Sequence, residues 1–138
     1  LFYASSNNHP SIVNYLLSYP GIQLNNPDIF GITPLWIASF LGHSNVVNVL
    51  IMLKGINVNK PAMKGITPLH VAVREGHVST ASMLLQHPCI DIHNVDDKGE
   101  TPLSIAIHGG NKHIIHELYF YGNSENYLLQ PGKKEKLS

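Results

Sequence analysis

The chain has 138 residues, 43 % hydrophobic and 13 % charged, enough for one domain that buries roughly 65–70 % of its unfolded surface. Nine Lys plus Arg against nine Asp plus Glu leave no cationic excess to neutralise phosphates, so no nucleic-acid partner is expected. The one cysteine, Cys89, cannot form an internal disulfide and fits a reducing, cytoplasmic or otherwise intracellular setting; the strongest apolar run, Val46 to Leu53, is broken by Asn48 and is far shorter than the ~20 residues of a spanning helix, so no membrane insertion is expected.

In chain order, Leu1-Phe2-Tyr3-Ala4 lies 34 residues before Leu35-Trp36-Ile37-Ala38, His9 lies 34 before His43, and Leu16-Leu17 matches Leu50-Ile51. These are the remains of a first, truncated copy of a repeat. Its missing Gly-x-Thr-Pro and the opening on Leu1 rather than Met lead us to expect a piece of a longer protein, whose upstream address would not be visible here. Three fuller copies follow, opened by Gly31-Ile32-Thr33-Pro34-Leu35, Gly65-Ile66-Thr67-Pro68-Leu69 and Gly99-Glu100-Thr101-Pro102-Leu103, again at 34-residue intervals. A period of that length means stacked supersecondary units with an open surface, not a closed core.

Within each copy the pattern predicts helix, turn, helix and extended loop. Thr33, Thr67 and Thr101 are placed to cap the first helix with their hydroxyls. Proline follows each at the first helical position, where its fixed φ suits the helix. Gly42, Gly76 and Gly110 suit the left-handed residue that ends a helix. Second helices are predicted from Ser44, Val78 and Lys112, with apolar residues at helical spacing (Val46, Val47, Leu50 and Ile51; then Ala81, Leu84 and Leu85). The first three copies carry one extra residue after the second helix, a change that loop-closure entropy tolerates. In the last copy Glu117 stands where Val49 and Met83 stand earlier, flanked by His113 and His116, and a polar outer face would suit a terminal, capping repeat. Residues 123–138, with Gln130-Pro131-Gly132-Lys133 and the lysines after it, read as a solvated, partly flexible extension.

Thr67-Pro68-Leu69-His70-Val71-Ala72, then Gly76-His77 and Leu84-Leu85, resemble the ankyrin-repeat family almost letter for letter. The likeness covers Leu1 to about Gly122. It implies an all-α ankyrin-repeat solenoid of stacked antiparallel helix pairs with projecting β-turn loops, divided into a partial repeat at 1–30 and repeats at 31–64, 65–98 and 99–122. Trp36 and Ser104 stand where the family has the histidine seen at His70, which puts hydrogen bonding between repeats in doubt at those two places.

The resemblance implies another protein as partner, bound through loop tips and the concave face of the first helices. Carried over by position, the second copy offers Ile29, Phe30, Ile32, Phe40 and Leu41, with Pro27 beside them. The third offers Met63, Lys64, Ile66, Arg74 and Glu75, and the fourth Asp97, with Val95, Lys98, Glu100 and His108 nearby. An apolar patch at positions where the family usually carries polar residues marks a protein-binding site, and Arg at its edge is a common anchor. The competing structural reading is that Phe40 and Ile32 tuck into the core between repeats.

Other chemistry is weighed and set aside. His87, Cys89 and His93 fit no zinc spacing, and His113, His116 and Glu117 lack the order of a zinc-protease helix. No nucleophile elbow, P-loop or dinucleotide fingerprint occurs. The chain is therefore expected to be no enzyme, to need no cofactor or metal, and to bind no small molecule. Asn25 and Asn59 occupy a loop position that is hydroxylated in many ankyrin-family proteins, with His93 in the fourth copy; the plainer reading is that the side chain secures the turn. Two alternatives to a self-standing recognition scaffold stay open: a regulatory or targeting arm of a larger enzyme, channel or secreted effector (in the last case one delivered into a host cell), or a pure spacer.

Overall fold

Each threonine predicted as a cap performs that role. In the computed structural model, which describes residues 1–123, Thr33, Thr67 and Thr101 have extended backbone and accept the amides of Trp36, His70 and Ser104 respectively. Thr67 and Thr101 add the reciprocal bond, in which the side chain of His70 or Ser104 takes the cap's own amide. Behind each cap runs a short first helix: α3 (Pro34–Phe40), α5 (Pro68–Arg74) and α7 (Pro102–Gly109). Gly42, Gly76 and Gly110 then take φ of +71°, +74° and +68°, the left-handed turn in which a Cβ is costly. Second helices α4 (Ser44–Ile51), α6 (Val78–Gln86) and α8 (Lys112–Asn123) return antiparallel. The truncated copy supplies α1 (Phe2–Ser6) and α2 (Pro10–Leu17).

The eight described α-helices pack as sequential pairs, and the pairs stack. α1, α3, α5 and α7 form one row and α2, α4, α6 and α8 the other. Between the rows Leu35, Leu50, Leu69, Leu84, Leu85 and Ile114 are wholly buried, each contributing about 1.5–3 kcal/mol relative to an exposed side chain. Val58, Ile90 and Ile92 from the connecting loops extend that core. Turn histidines tie neighbours together: His43 Nε2 meets the Ser6 carbonyl at 3.1 Å and His77 Nε2 the Phe40 carbonyl at 2.9 Å.

Two sequence expectations need correction here. Glu117 does not form a polar outer face. It turns toward α6, half-buried, and accepts the Ser82 hydroxyl at 2.5 Å, because its register position is one that Val49 and Met83 use to pack against the core. The exposed residues of α8 are mixed, polar at Lys112, His113 and His116 and aromatic at Tyr119 and Phe120. Hydrogen bonding between repeats also survives at Trp36: the indole N–H donates to the Ile66 carbonyl at 2.8 Å, the counterpart of His70 Nε2 donating to Glu100 at 3.0 Å. Indole is longer than imidazole but carries the same outward N–H. Ser104, by contrast, is satisfied locally, donating to the Thr101 carbonyl at 2.9 Å. The predicted C-terminal extension, apart from Asn123 at the end of α8, lies outside the described residues.

Candidate functional site

Ahead of each Thr-Pro the chain makes a tight finger, at residues 28–32, 62–66 and 96–100. All three close with the same backbone bond: Asp28 N–H to Ile32 at 3.0 Å, Ala62 N–H to Ile66 at 2.9 Å, and Asp96 N–H to Glu100 at 3.0 Å. In the outer two an aspartate carboxylate braces the turn. Asp28 Oδ1 accepts the amides of Phe30 and Ile32 at 2.8 and 2.9 Å, and Asp96 Oδ1 those of Lys98 and Glu100 at 2.9 and 3.0 Å. The middle finger has Ala62 at that position and no such brace. It winds instead into a 3₁₀ turn over Met63–Gly65, and Lys64 is driven to φ +64°, ψ +22°. For a residue with a Cβ that conformation costs about 1–2 kcal/mol. The fingers are linked side by side, Met63 N–H donating to Phe30 at 3.0 Å and Asp97 N–H to Lys64 at 2.9 Å.

On this frame Ile29 is 91 % exposed, Met63 58 %, Phe30 51 % and Leu41 40 %. Ile29, Phe30 and Met63 lie in the fingers, and Leu41 at the end of α3. Ile32, Phe40 and Ile66 are half-buried, short of the full burial a core role demands, and Phe40 stacks on Trp36 with centroids 5.5 Å apart. Lys64, Glu75 and Asp97 are exposed. Arg74 is not a free anchor: its guanidinium lies 3.4 Å from Asp96 and 4.0 Å from Glu100.

Asp96 itself escapes a sequence reading that looks at exposed tips, because it is buried. Burial disfavours its charge, yet the amides of Glu100 and Lys98, with His70 and Arg74 nearby, hold its carboxyl below the usual carboxylate range. His70 shares the site. Its Nε2 donates to Glu100 while Nδ1 accepts the Thr67 amide at 3.2 Å, which selects the neutral ring. Desolvation lowers its pKa below the ordinary histidine value, against the raising effects of the Glu100 carbonyl and Asp96. The signal available in the sequence was the spacing of Asp28 and Asp96, two periods apart, with Ala62 between them.

Lys64, Ile66, Arg74, Asp96, Asp97 and Lys98 line a shallow depression of about 130 Å³ between the third and fourth copies. One period earlier the same positions are Phe30, Ile32, Phe40, Ala62, Met63 and Lys64. The surface is thus apolar except for Lys64 at one step and ionic at the next.

The loop asparagines hold the turn of the following copy rather than their own. Asn25 Nδ2 donates to Gly55 at 2.8 Å and its Oδ1 accepts the Asn57 amide at 2.8 Å; Asn59 repeats this with Cys89 at 2.7 Å and Asp91 at 2.9 Å. Among the described residues no group of three or more His, Cys, Asp and Glu is placed to hold a metal, and no helix is long and apolar enough to cross a membrane. The chain matches the family described as ankyrin repeats (3 copies), over residues 1–62 and 52–127. A search of curated proteins returned no match.

Proposed function

The chain belongs to the ankyrin-repeat family, whose repeats are typically protein–protein interaction modules, and we propose that it is a non-catalytic recognition module that holds a partner protein on the fingers and first helices of its second and third copies. The observation that carries this reading is the exposure of the apolar residues Ile29, Phe30 and Met63 on two fingers joined by the Met63–Phe30 backbone bond, with Leu41 exposed at the end of α3. Large exposed apolar clusters cost solubility and mark interaction sites on otherwise polar surfaces. Arg74, held by Asp96 and Glu100, supports the edge of that surface, while Lys64, Glu75 and Asp97 are left exposed to select among partners.

Affinity capture from source-cell lysate tests the reading, with a Phe30→Glu, Leu41→Asp double variant of matched circular dichroism as control. A protein retained by the parent chain and lost by the variant supports it. Equal retention by both places recognition elsewhere, and no retained protein favours a spacer.

A further inference from the structure

Leu69, Val73, Ala81 and Leu85 of the third copy are buried, with α7 and α8 stacked on α5 and α6. Their counterparts one period on are Leu103 and Ile115, half-buried, and Ile107 and Tyr119, exposed. At this end of the stack Ile92, Thr101, Leu103, Leu118, Tyr119 and Gly122 line a notch of about 160 Å³, enough for a benzene-sized group. The fourth copy lacks the apolar loop residues of its predecessors. Ile56 and Val58 follow α4, and Ile90 and Ile92 follow α6, all in or against the core. Asn59 fixes the second of these loops by holding Cys89 and Asp91, the neighbours of buried Ile90. Allowing for the one extra loop residue of those copies, Asn123 and Glu125 stand at the same positions after α8, and water suits their side chains better than an apolar notch.

We infer that Tyr127, Leu128 and Leu129 of the same chain cover this face, laying apolar side chains against Leu103, Leu118 and Tyr119. The three are consecutive and are flanked by the polar Asn126 and Gln130. Four residue steps separate Tyr127 from Asn123, the end of α8, a reach of roughly 13–14 Å in extended chain, and Gly122 already lines the notch. A segment tethered so closely acts at an effective concentration on the order of millimolar, ahead of any dilute second molecule. Pro131, Gly132 and the charged residues 133–136 follow, suited to turn the chain away into water. The solvated extension then begins at Gln130 rather than at Asn123. This cover is independent of where a partner docks on the fingers.

Nuclear Overhauser spectra of the folded 138-residue chain test this without any variant. Contacts are expected between the methyls of Leu128 or Leu129 and the Tyr119 ring or the Leu103 methyls, and their absence overturns the inference. Thermal melts give a second reading. Leu128→Ser, Leu129→Ser should lower Tm by about 5 °C, while Lys133→Ser, Lys134→Ser should leave it unchanged. Tyr and Ser have similar helix propensities, so Tyr119→Ser on an uncovered α8 would be silent. Beneath the tail it should lower Tm by about 3 °C. The triple variant should melt no lower than the leucine pair alone, because both changes remove one contact. Additive losses, or a silent leucine pair, overturn the tail as the cover. Sedimentation should show a monomer whose Tm holds over roughly a hundredfold range of concentration. A dimer that dissociates on dilution and is lost in Tyr119→Ser hands the face to a second copy and overturns the inference.

Discussion

Restoring the missing brace should stabilise the protein: Ala62→Asp is expected to raise the unfolding free energy by about 1–2 kcal/mol. Space for the side chain can be judged from the neighbouring copy. A Cβ placed on Gly65 would lie 3.2 Å from Asp96 Cα, and one on Gly31 the same 3.2 Å from Ala62 Cα, so the two positions have the same close approach and an aspartate fits one of them already. The new carboxylate would accept the amides of Lys64 and Ile66, as Asp28 and Asp96 do in their own fingers. Charge-assisted bonds of this kind contribute about 1.5–3 kcal/mol each, but they replace the bonds of the 3₁₀ turn and Ala62 is only half-buried, so little of that gain survives. The remainder comes from releasing Lys64 from φ +64°, about 1–2 kcal/mol. No counterpart of Arg74 stands at Phe40, so the full stability of the Asp96 site is not recovered. For a domain of this size the gain is a rise of about 3–6 °C in Tm. Thermal melts of the single variants and the double variant with Lys64→Gly make the logic sharp. In the parent, Lys64→Gly should stabilise by about 1 kcal/mol because glycine tolerates the left-handed turn. In the Ala62→Asp background it should destabilise, since Lys64 has returned to negative φ and glycine then only adds unfolded-state entropy. Equal effects of Lys64→Gly in both backgrounds would refute the strained-finger account.

Trp36→Phe should cost about 1 kcal/mol by leaving the Ile66 carbonyl without its 2.8 Å donor, whereas Trp36→His should be nearly neutral in a urea titration. Thr67→Ala should destabilise by about 1–2 kcal/mol, since the hydroxyl caps α5 and meets His70 Nδ1 at 2.7 Å; a melt at the parent's Tm would contradict the cap. Asn59→Ala removes both the donor to Cys89 and the acceptor for Asp91 and should lower Tm by several degrees. The folded pKa of His70 is depressed, so its contribution is fully present above the ordinary value of 6.5 and is lost as pH falls below it. Asp96 has the same sign, with loss setting in below its ordinary 3.8. Melts between pH 7.5 and 5 (roughly a histidine titration window) should therefore show falling Tm, and His70→Gln should flatten that slope.

The helices were legible because their determinants are local. A hydroxyl three residues before an amide, a proline at the first turn and a glycine at the left-handed position each act within one copy, and the 34-residue spacing repeats the test three times. Exposure of Ile29, Phe30 and Met63 was legible for the same reason, because tight turns leave few places for a side chain to hide. What escaped the sequence were interactions between copies. Trp36 does the work of a histidine through a different ring, Asn25 and Asn59 secure the next turn instead of their own, and Arg74 answers a buried Asp96. Each depends on which atoms two copies bring within reach, and a one-copy motif carries no such information.

Three register positions change together along the stack, and their coupling explains why the apolar surface lies where it does. At the third-to-fourth step His70, Arg74 and Asp96 form one polar unit, in which the buried carboxylate is matched by a cation and by finger amides. At the second-to-third step the same positions hold Trp36, Phe40 and Ala62, with the two rings stacked. Without the aspartate an arginine at position 40 would lack its buried partner, and an aromatic there instead packs on the indole. A buried carboxylate stripped of its cation is strongly destabilising, so the exchange must be made as a set. Placing Arg at Phe40 alone should therefore bring little stability, and Arg74→Phe alone should bring a large loss. Made together with Asp96→Ala and His70→Trp, however, Arg74→Phe should recover most of that loss and extend the apolar face by one copy.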